Sequence, residues 1–375
     1  MLLVSPSPVV TPVLDPTLPP TLYSPIVASG TAGDDVINGA LGNDRLSGLA
    51  GNDHIDGSLG DDAIDGGAGN DVLIGGEGND FIQGGTGNDV IEGDGGSDRL
   101  YGGDGDDSIG TGGLGGTGTI GNSYIDGGDG NDSLAGGLGD DTIVGGRGND
   151  ELEGSLGNDT LLGDAGDDNI DGSNGNDTIN GGDGNDTLQG GSGDDVMHGG
   201  NGDDFLEDVW LGGSDSYYGD AGNDTMTVDD IKAALSDHLI DGGAGFDTLE
   251  IAPASTGMTL DHVGVLAGTV HNIEAIGLRY ASGTTLSVDP KDVLDLSPSH
   301  ELVITGGVDS FWSSAATNLV TASHAGLWHD AGLATIPTGT PITGVTGAIF
   351  HEYTATVGSS TATLLVDTAL PQHLT

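Results

Sequence analysis

The sequence predicts an all-β chain: a right-handed parallel β-roll (β-solenoid) of nonapeptide repeats, followed by a β-rich C-terminal cap domain. Two observations predict the roll. Gly and Asp recur in nine-residue units through most of the first 250 residues, and one apolar residue recurs at a fixed place in each unit. A third observation predicts the cap, since from Ile251 onwards Gly and Asp become sparse while Val, Thr, Ile and Leu become frequent.

The repeats align on their Asp residues. The segments GGAGNDVLI (66–74), GGEGNDFIQ (75–83) and GGTGNDVIE (84–92) follow one another without gaps. In all 21 copies Gly stands two residues before the Asp, and Ile, Leu, Met or Tyr stands two residues after it. The aligned residues form two regular runs and three looser copies: Asp35, Asp44, Asp53, Asp62, Asp71, Asp80, Asp89, Asp98 and Asp107; Asp132, Asp141, Asp150, Asp159, Asp168, Asp177, Asp186, Asp195 and Asp204; and Asp215, Asp224 and Asp247.

Each position of the repeat has a physical reason. The Gly-rich half must turn sharply, which requires backbone angles that only Gly adopts at low cost. The last three residues predict a short strand with its central apolar side chain pointing inward, because side chains alternate along a strand. Two nonapeptides then make one coil, so residues 18 apart, such as Asp71 and Asp89, line one edge. The intervening copies, such as Asp80, line the other edge.

The columns of carboxylates predict metal binding. Stacking places successive Asp side chains about 4.8 Å apart, where like charges repel, so the metal-free chain is not expected to fold. Carboxylate and carbonyl oxygens, with no Cys and no repeated His, select a hard cation, and a flexible all-oxygen cage suits Ca²⁺ better than Mg²⁺. A disordered Gly/Asp-rich linker is the alternative, against which 21 copies in register argue. Each regular run of nine Asp gives seven pairs 18 apart, so we expect about 14 or more Ca²⁺ sites.

The nonapeptides resemble the Gly-Gly-x-Gly-x-Asp-x-apolar-x repeat of RTX (hemolysin-type calcium-binding) proteins. The resemblance spans about residues 30–250. It implies that each Ca²⁺ lies between loops two repeats apart, held by both Asp side chains and by carbonyls from positions 1 and 3 of one loop and 2 and 4 of the other. The carbonyl ligands that it implies include Gly66 and Ala68 in the Asp71 loop, Gly85 and Gly87 two repeats away, and Gly76, Gly78, Gly182 and Gly184.

Two features depart from the family pattern. Gly occupies repeat position 2 in only 11 of 21 copies, with Leu49 and Ser58 among the exceptions. Because this position would supply only a carbonyl, a side chain is tolerable where the backbone angle permits. The phase also breaks at 110–126, where Ser123 stands in place of the Asp. We expect the site that Ser123 would share with Asp141 to be empty, water-filled or weak.

The composition divides the chain into four segments. Residues 1–29 hold seven of the 13 prolines and no Lys or Arg, which indicates an extended, polyproline-like arm. Residues 30–226 are predicted to form the roll, 227–250 a short helix (229–238) plus the last repeat, and 251–375 the C-terminal domain. Within that domain the patterns predict a short helix at 289–294 and strands at 272–278, 301–305, 349–356 and 361–366.

Charge and hydropathy exclude several classes of partner. A net charge of −54 disfavours nucleic acid and anionic membrane surfaces. No stretch approaches 18 consecutive apolar residues, so no membrane span is predicted. The segments NIEAIGL, DVLDLS and ATLLVDTA are similar to the C-terminal region of large, type I-secreted RTX adhesins. That similarity implies an uncleaved C-terminal signal, export by an ABC transporter and a secreted or cell-surface location, which fits an arm without the basic start of a signal peptide.

The chain is not predicted to be an enzyme. The segments HELVI at His300 and HEYTA at His351 lack the second His of a helical zinc-protease motif, and there is no Gly-x-Ser-x-Gly elbow. His324 and His329 flank Trp328 as a metal-binding or binding spot, or more simply as a surface loop pair.

Three classes of function are open. One is an extracellular structural protein that assembles with itself into a surface layer, sheath or filament. Another is a cell-surface adhesin or ligand-binding module, and the third is an enzyme that uses the roll as a secretion carrier. We favour the first, because the proline-rich arm, which has no Lys or Arg, could dock on a neighbouring subunit and the open ends of a solenoid invite stacking. A disordered tail is the competing interpretation of the arm.

Overall fold

The structure, a computed structural model, describes residues 9–10, 25–112, 121–208, 213–228, 239–251, 259–260, 270–278, 285–288, 301–306, 319–322, 329–335, 349–357, 360–367 and 372–374. All regular elements in these ranges are β-strands, and they belong to two compact units, Met1–Asp183 and Gly184–Thr375. The predicted all-β class is therefore confirmed for the described residues. The helices predicted at 229–238 and 289–294 lie outside them.

In the first unit each strand of the roll begins at the residue after a repeat Asp, or after Ser123, and runs for three to six residues. The strands are β1 (Val9–Val10), β2 (Val27–Ser29), β3 (Val36–Asn38), β4 (Arg45–Ala50), β5 (His54–Leu59), β6 (Ala63–Ala68), β7 (Val72–Glu77), β8 (Phe81–Thr86), β9 (Val90–Gly95), β10 (Arg99–Asp104), β11 (Ser108–Gly110), β12 (Tyr124–Asp129), β13 (Ser133–Leu138), β14 (Thr142–Arg147), β15 (Glu151–Leu156), β16 (Thr160–Ala165), β17 (Asn169–Asp171) and β18 (Thr178–Asp183). The two short outer strands, β1 and β2, belong to the N-terminal arm.

The strands pair in parallel with the strand two places further along the chain. Leu73 of β7 lies beside Ile91 of β9, and Ile64 of β6 lies beside Ile82 of β8, both 18 residues apart. One series therefore contains the odd-numbered strands from β3 to β17 and the other the even-numbered strands from β2 to β18. The predicted coil of two nonapeptides is confirmed.

The interior is filled by the single apolar residue of each nonapeptide. All 21 of these side chains are at most 2% exposed, from Ile37 in the first copy to Leu249 in the last, and Tyr217 and Met226 fit the same position. Each buried Ile or Leu contributes about 1.5–3 kcal/mol. One thin layer of side chains thus forms the core, which explains how a chain with so few apolar residues folds into it.

The loops confirm why Gly is obligatory at position 4 but not at position 2. At position 4 a methyl group on Gly87, whose φ is 117°, would collide with the carbonyl oxygen of Gly69 in the coil below. At position 2 a methyl group on Gly67, whose φ is 108°, would also collide with a carbonyl oxygen, that of Leu49. The side chains found at this position avoid the problem with a smaller left-handed φ, 78° at Leu49 and 79° at Ser58. Other residues that adopt this conformation at position 2 are Asp94, Ser155, Asp164, Ser173 and Asp220.

The phase break leaves the strand pairing intact. Leu100 pairs with Ile125 and Ile109 pairs with Leu134, each 25 residues apart instead of 18. The strand register is therefore kept despite seven additional residues in this copy; residues 113–120 lie outside the described residues. The Thr111 hydroxyl donates to the Gly136 carbonyl of the next coil. Both columns of loops therefore continue across 110–126, where the sequence departs from the nine-residue phase.

The second unit continues with parallel coils and adds antiparallel strands. Its strands are β19 (Thr187–Gln189), β20 (Val196–Asn201), β21 (Phe205–Asp208), β22 (Ser216–Ala221), β23 (Thr225–Val228), β24 (Leu239–Asp241), β25 (Thr248–Ile251), β26 (Thr259–Leu260), β27 (Val270–His271), β28 (Ala275–Leu278), β29 (Thr285–Val288), β30 (Glu301–Gly306), β31 (Leu319–Ala322), β32 (His329–Thr335), β33 (Ile349–Val357), β34 (Ser360–Asp367) and β35 (Gln372–Leu374). The four strands predicted in the C-terminal domain correspond to β28, β30, β33 and β34.

The strand order in this unit follows from the pairings. One parallel series runs β19, β21, β23, β25, β28, β30 and β34, and a second runs β20, β22, β24 and β27. A third parallel series contains β26, β29, β31 and β35. The strands β32, β33 and β34 form an antiparallel meander. The parallel pairing from β25 to β28 and β30 extends the coil beyond the last nonapeptide.

Candidate metal sites in the loop columns

The repeat Asp residues lie at the junction between each loop and the strand that follows it. All 21 are buried, with exposures from 0% at Asp247 to 3% at Asp62, Asp107, Asp150 and Asp215. A buried carboxylate is costly unless hydrogen bonds or a cation compensate for the lost hydration. The groups around the two oxygens of each carboxylate therefore indicate how the cost of its burial is compensated.

The Oδ1 atoms tie each loop to the loop two repeats before it. The backbone N–H of Asp62 donates to Asp80 Oδ1 at 2.7 Å, and the N–H of Asp71 donates to Asp89 Oδ1 at 2.8 Å. The same hydrogen bond recurs along both units at 2.6–2.9 Å. Within each unit the structure thus brings the predicted Asp residues together in two columns, in which these Oδ1 atoms already accept a backbone N–H.

The Oδ2 atoms face a cradle of other oxygens. A methyl group at Gly66 would collide with Asp71 Oδ2 and lie 2.7 Å from the carbonyl oxygen of Gly84, so two oxygens face one point where Gly leaves room. Among the described residues no donor reaches this buried atom in a large set of repeats: Asp53, Asp62, Asp71, Asp80, Asp89, Asp98, Asp107, Asp132, Asp141, Asp150, Asp159, Asp204, Asp224 and Asp247. Each such oxygen costs about 1–3 kcal/mol or more unless a cation balances it.

Burial raises the pKa of these carboxyls well above its usual range. The pKa of Asp80 rises to about 7 chiefly through burial; the N–H of Asp62 acts in the opposite direction, and the charges of Asp98 and Asp62 add to the increase. The pKa of Asp224 rises to about 8, again chiefly through burial, with the charges of Asp247 and Asp204 adding to it. The metal-free fold therefore favours neutral carboxyls, whereas a cation in the cradle favours the ionised form.

The donor set fits a hard cation. Among the described residues, no three His, Cys, Asp or Glu side chains converge as a metal-binding group. Each site must therefore combine carboxylate oxygens with backbone carbonyls, which is the ligand chemistry of Ca²⁺. The carbonyl of Ala68 accepts the N–H of Gly51 at 2.8 Å, and a carbonyl has a second lone pair for a metal. The other assigned carbonyl residues at positions 2 and 4 all adopt positive φ: Gly76, Gly78, Gly85, Gly87, Gly182 and Gly184.

The first two repeats differ from the others. Oδ2 of Asp35 accepts hydrogen bonds from the N–H and the hydroxyl of Thr31, and Oδ2 of Asp44 accepts the N–H of Ala40 at 2.8 Å. Protein donors thus already satisfy the Oδ2 atoms of these two carboxylates, although Oδ1 of Asp35 has no donor among the described residues. Their assignment as metal ligands stays a prediction, and the structure gives them a second role as caps of the first loops. Sequence spacing cannot reveal this role, because the role depends on whether the backbone N–H at repeat position 2 points toward the carboxylate.

Ser123 supplies one of the two side-chain oxygens that an Asp would supply. The N–H of Asp98 donates to Ser123 Oγ at 3.0 Å, and the N–H of Ser123 donates to Asp141 Oδ1 at 2.7 Å. The hydroxyl thus maintains the hydrogen-bonded column, but Ser offers no second oxygen to the cradle. The weak or empty site predicted here stays a prediction with a structural reason.

The structure also brings together Asp pairs that the 18-residue spacing missed. The N–H of Asp107 donates to Asp132 Oδ1 at 2.7 Å across the phase break, although the two residues are 25 apart. Further pairs lie 20 or 23 residues apart: Asp195 with Asp215, Asp204 with Asp224, and Asp224 with Asp247. The spacing-based count of 14 omits these four pairs. Aligning the Gly and apolar positions, instead of counting residues, would have found them.

Fold and site together define a class of protein: a parallel β-roll whose stacked loops provide all-oxygen cradles for hard cations. The sequence matches the family model described as RTX calcium-binding nonapeptide repeat (4 copies) at residues 27–55, 39–73, 74–109, 117–152, 144–179, 171–206 and 211–227. These segments cover just over half of the chain, which therefore belongs to the RTX calcium-binding repeat family. No curated protein matches the chain. The described residues hold no helix with the length and hydropathy of a membrane-spanning segment.

Proposed function

We propose that this chain is a secreted structural protein whose repeats fold on binding Ca²⁺ outside the cell and which then assembles with copies of itself. The observation that carries the proposal is the set of fourteen buried repeat carboxylates, from Asp53 to Asp247, whose Oδ2 atoms have no donor among the described residues. Bound Ca²⁺ supplies the positive charge that balances them. Binding that occurs only in the folded state adds its free energy to the stability of the fold.

The location outside the cell follows from the same dependence on calcium. RTX repeat proteins are typically secreted, and calcium is scarce in the cytosol but abundant outside the cell. Export by an ABC transporter through a C-terminal signal is the route that the similarity of NIEAIGL, DVLDLS and ATLLVDTA supports. Removal of residues 316–375 is expected to retain the protein in the cytosol while the repeats still bind Ca²⁺. Normal secretion of that truncation would contradict the C-terminal signal.

Self-assembly is supported by the N-terminal edge of the roll. The strand Val27–Ser29 pairs with Arg45–Ala50 and, among the described residues, with no other strand. Val27 on this edge strand is 77% exposed. Exposed, apolar edge strands pair readily with another chain. The edge next to it is covered by the short strand Val9–Val10, which pairs with Val36 and Ile37. The expected product is a surface layer, sheath or filament, because a head-to-tail contact does not close unless it forms a ring.

Light scattering and electron microscopy of the full chain test the assembly. Association is expected in millimolar Ca²⁺ and is expected to be weakened by Val27→Lys at the open edge. Val72→Lys is the matched control, since Val72 is also exposed but lies on a strand paired on both sides. A full-length protein that remains monomeric at high concentration in Ca²⁺ would refute the structural function and favour the adhesin.

One observation favours the second candidate, a cell-surface adhesin or ligand-binding module. Phe81, Tyr101 and Tyr124 form a row along one sheet, with ring centroids 5.5 and 5.6 Å apart. Partly exposed aromatic rings provide flat surfaces with an apolar body and a polar tip. Binding of the Ca²⁺-loaded protein to a glycan array, abolished by Tyr101→Ser, would support this candidate. The roll is a calcium-binding structural fold, and no observation in the described residues favours an enzyme.

A further inference from the structure

The roll continues for one coil beyond the last nonapeptide. Val270 and His271 pair with Ile240 and Asp241, and the strand Ala275–Leu278 pairs with Thr248–Ile251. The sequence of this coil, VHNIEAIGL, contains neither the Gly-rich turn nor the repeat Asp. It nevertheless buries its side chains as a coil of the roll does, with Val270, Ile273 and Ile276 at most 1% exposed.

Glu274 occupies the place of the repeat Asp in this coil. The N–H of Asp247 donates to Glu274 Oε2 at 3.0 Å, just as the N–H of Asp224 donates to Asp247 Oδ1 at 2.9 Å. The following residue repeats the pattern, since Ala275 N–H donates to the Asp247 carbonyl at 2.9 Å, as Thr248 N–H donates to that of Asp224 at 2.8 Å. Glu274 is 8% exposed, so its carboxylate is nearly as buried as those of the repeats.

The oxygen cradle is also present at this step. Asp247 is fully buried, and its Oδ2 has no donor among the described residues. A methyl group at Gly242 would lie 2.7 Å from Asp247 Oδ2 and would collide with the carbonyl oxygen of Asn272. At Gly219, one coil earlier, Asp224 Oδ2 and the Gly242 carbonyl have the same arrangement. The Asn272 carbonyl therefore stands where a regular repeat places the carbonyl of position 1.

The shortened turn explains why a Glu is needed here. Six positions separate Asp241 from Asp247, whereas three separate His271 from Glu274. The side chain of Glu is one methylene longer than that of Asp, which lets its carboxylate reach the column from the tighter turn. Asn272 holds this turn, with a left-handed φ of 55° and an Nδ2 that donates to Asp241 Oδ1 at 2.6 Å.

We propose that Asp247, Glu274 and the Asn272 carbonyl form a further Ca²⁺ site, made in part by residues outside the nonapeptide motif. Asp247 Oδ2 and the Asn272 carbonyl face one point, and the buried Glu274 carboxylate is bonded to the same loop through the Asp247 N–H. Carboxylate and carbonyl oxygens are the donor set of a hard divalent cation. The site ends the metal column with a ligand that no repeat supplies. The proposal is independent of self-assembly.

Native mass spectrometry of the full chain in Ca²⁺ tests the number of bound ions, and hydrogen exchange tests the local fold. Glu274→Gln keeps the size of the side chain and is expected to bind one ion fewer, with loss of Ca²⁺-dependent protection at 270–277 and none at 66–107. Glu274→Asp is expected to lose the same ion, because the shorter side chain does not reach. Glu250→Gln, on the neighbouring strand, removes the same charge and is the control expected to bind the full number.

A wild-type number of ions in Glu274→Gln would overturn the proposal. Loss of protection at 270–277 with the full number of ions retained would also overturn it, since Glu274 would then only hold the turn. Loss of an ion in the Glu250→Gln control as well would indicate a general effect of charge and would equally refute the site.

Discussion

Asp80→Asn tests whether the buried carboxylates exist to bind metal. Asp80 lies in the middle of its column, where its Oδ1 accepts the N–H of Asp62 at 2.7 Å and its own N–H donates to Asp98 Oδ1 at 2.9 Å. Its Oδ2 is buried without a donor among the described residues. Asn keeps an acceptor for Asp62 but places an N–H₂ donor in the cradle and removes the charge. Asp80 thereby contributes to two predicted sites.

The magnitude follows from the number of sites. At a Ca²⁺ concentration about 100-fold above Kd, each site stabilises the fold by about 2.7 kcal/mol, so loss of both sites costs about 5 kcal/mol. Asp35 contributes to only one predicted site, so Asp35→Asn should cost about half as much stability. Without Ca²⁺ the expected effect of Asp80→Asn on stability changes sign. Burial raises the pKa of Asp80 to about 7, so the metal-free fold disfavours the charged carboxylate, and the neutral Asn removes that charge. In chelator Asp80→Asn should be neutral or stabilising.

Urea unfolding in millimolar Ca²⁺, followed by circular dichroism, measures the first effect. The β signal in EGTA, which Asp80→Asn should leave unchanged or increase, measures the second. Glu77→Gln is the matched control, since Glu77 is an exposed acid three residues before Asp80 and its side chain is outside the cradle. The reasoning is refuted if Asp80→Asn lowers the stability in Ca²⁺ no more than Glu77→Gln does, or if it lowers the β signal in EGTA.

Three further predictions concern the columns as a whole. In EGTA the repeats should give a coil-like circular dichroism spectrum that becomes β-like in Ca²⁺ and much less so in equal Mg²⁺; a β spectrum retained in chelator would contradict the coupling of folding to metal. Ser123→Asp should increase the number of bound Ca²⁺ in native mass spectrometry, while Ser123→Asn should not, because only the carboxylate fills the cradles beside Asp98 and Asp141; an equal gain in both variants would disprove this. Acid should increase the β signal of the metal-free protein. Burial raises the pKa of carboxyls such as those of Asp80 and Asp141 to about 7 in the folded state, so their ionisation destabilises the fold as the pH rises from about 4 to 7. A β signal that falls on acidification would contradict that sign.

The periodic features of the molecule could be predicted because their physical causes are local and repeated. The inward residues, such as Ile82, and the buried acids, such as Asp80, follow from position in the nonapeptide alone. The exceptions at position 2 fit the expectation that a side chain is tolerable where the backbone angle permits, since Leu49 adopts a left-handed φ of 78° whereas Gly67 at the same position has a φ of 108°.

Other features depend on where the backbone goes between repeats, which spacing does not encode. The pairing of Asp107 with Asp132 spans 25 residues instead of 18, which a count of residues does not reveal. The satisfied Oδ2 of Asp44 depends on the amide direction at Ala40. Glu274 was missed because a different acid on a shortened turn matches no repeat pattern.

The phase break has a further consequence. Seven extra residues enter one coil between the end of β11 and the next Gly-rich turn, yet Ile109 still pairs with Leu134. The pairs 20 and 23 residues apart in the second unit show smaller insertions that leave the columns connected. The strand register and the hydrogen bonds between successive loops therefore do not require a constant number of residues per coil. They require only that the Gly, Asp and apolar positions return in the same order, so members of such a column can differ in length without losing their alignment.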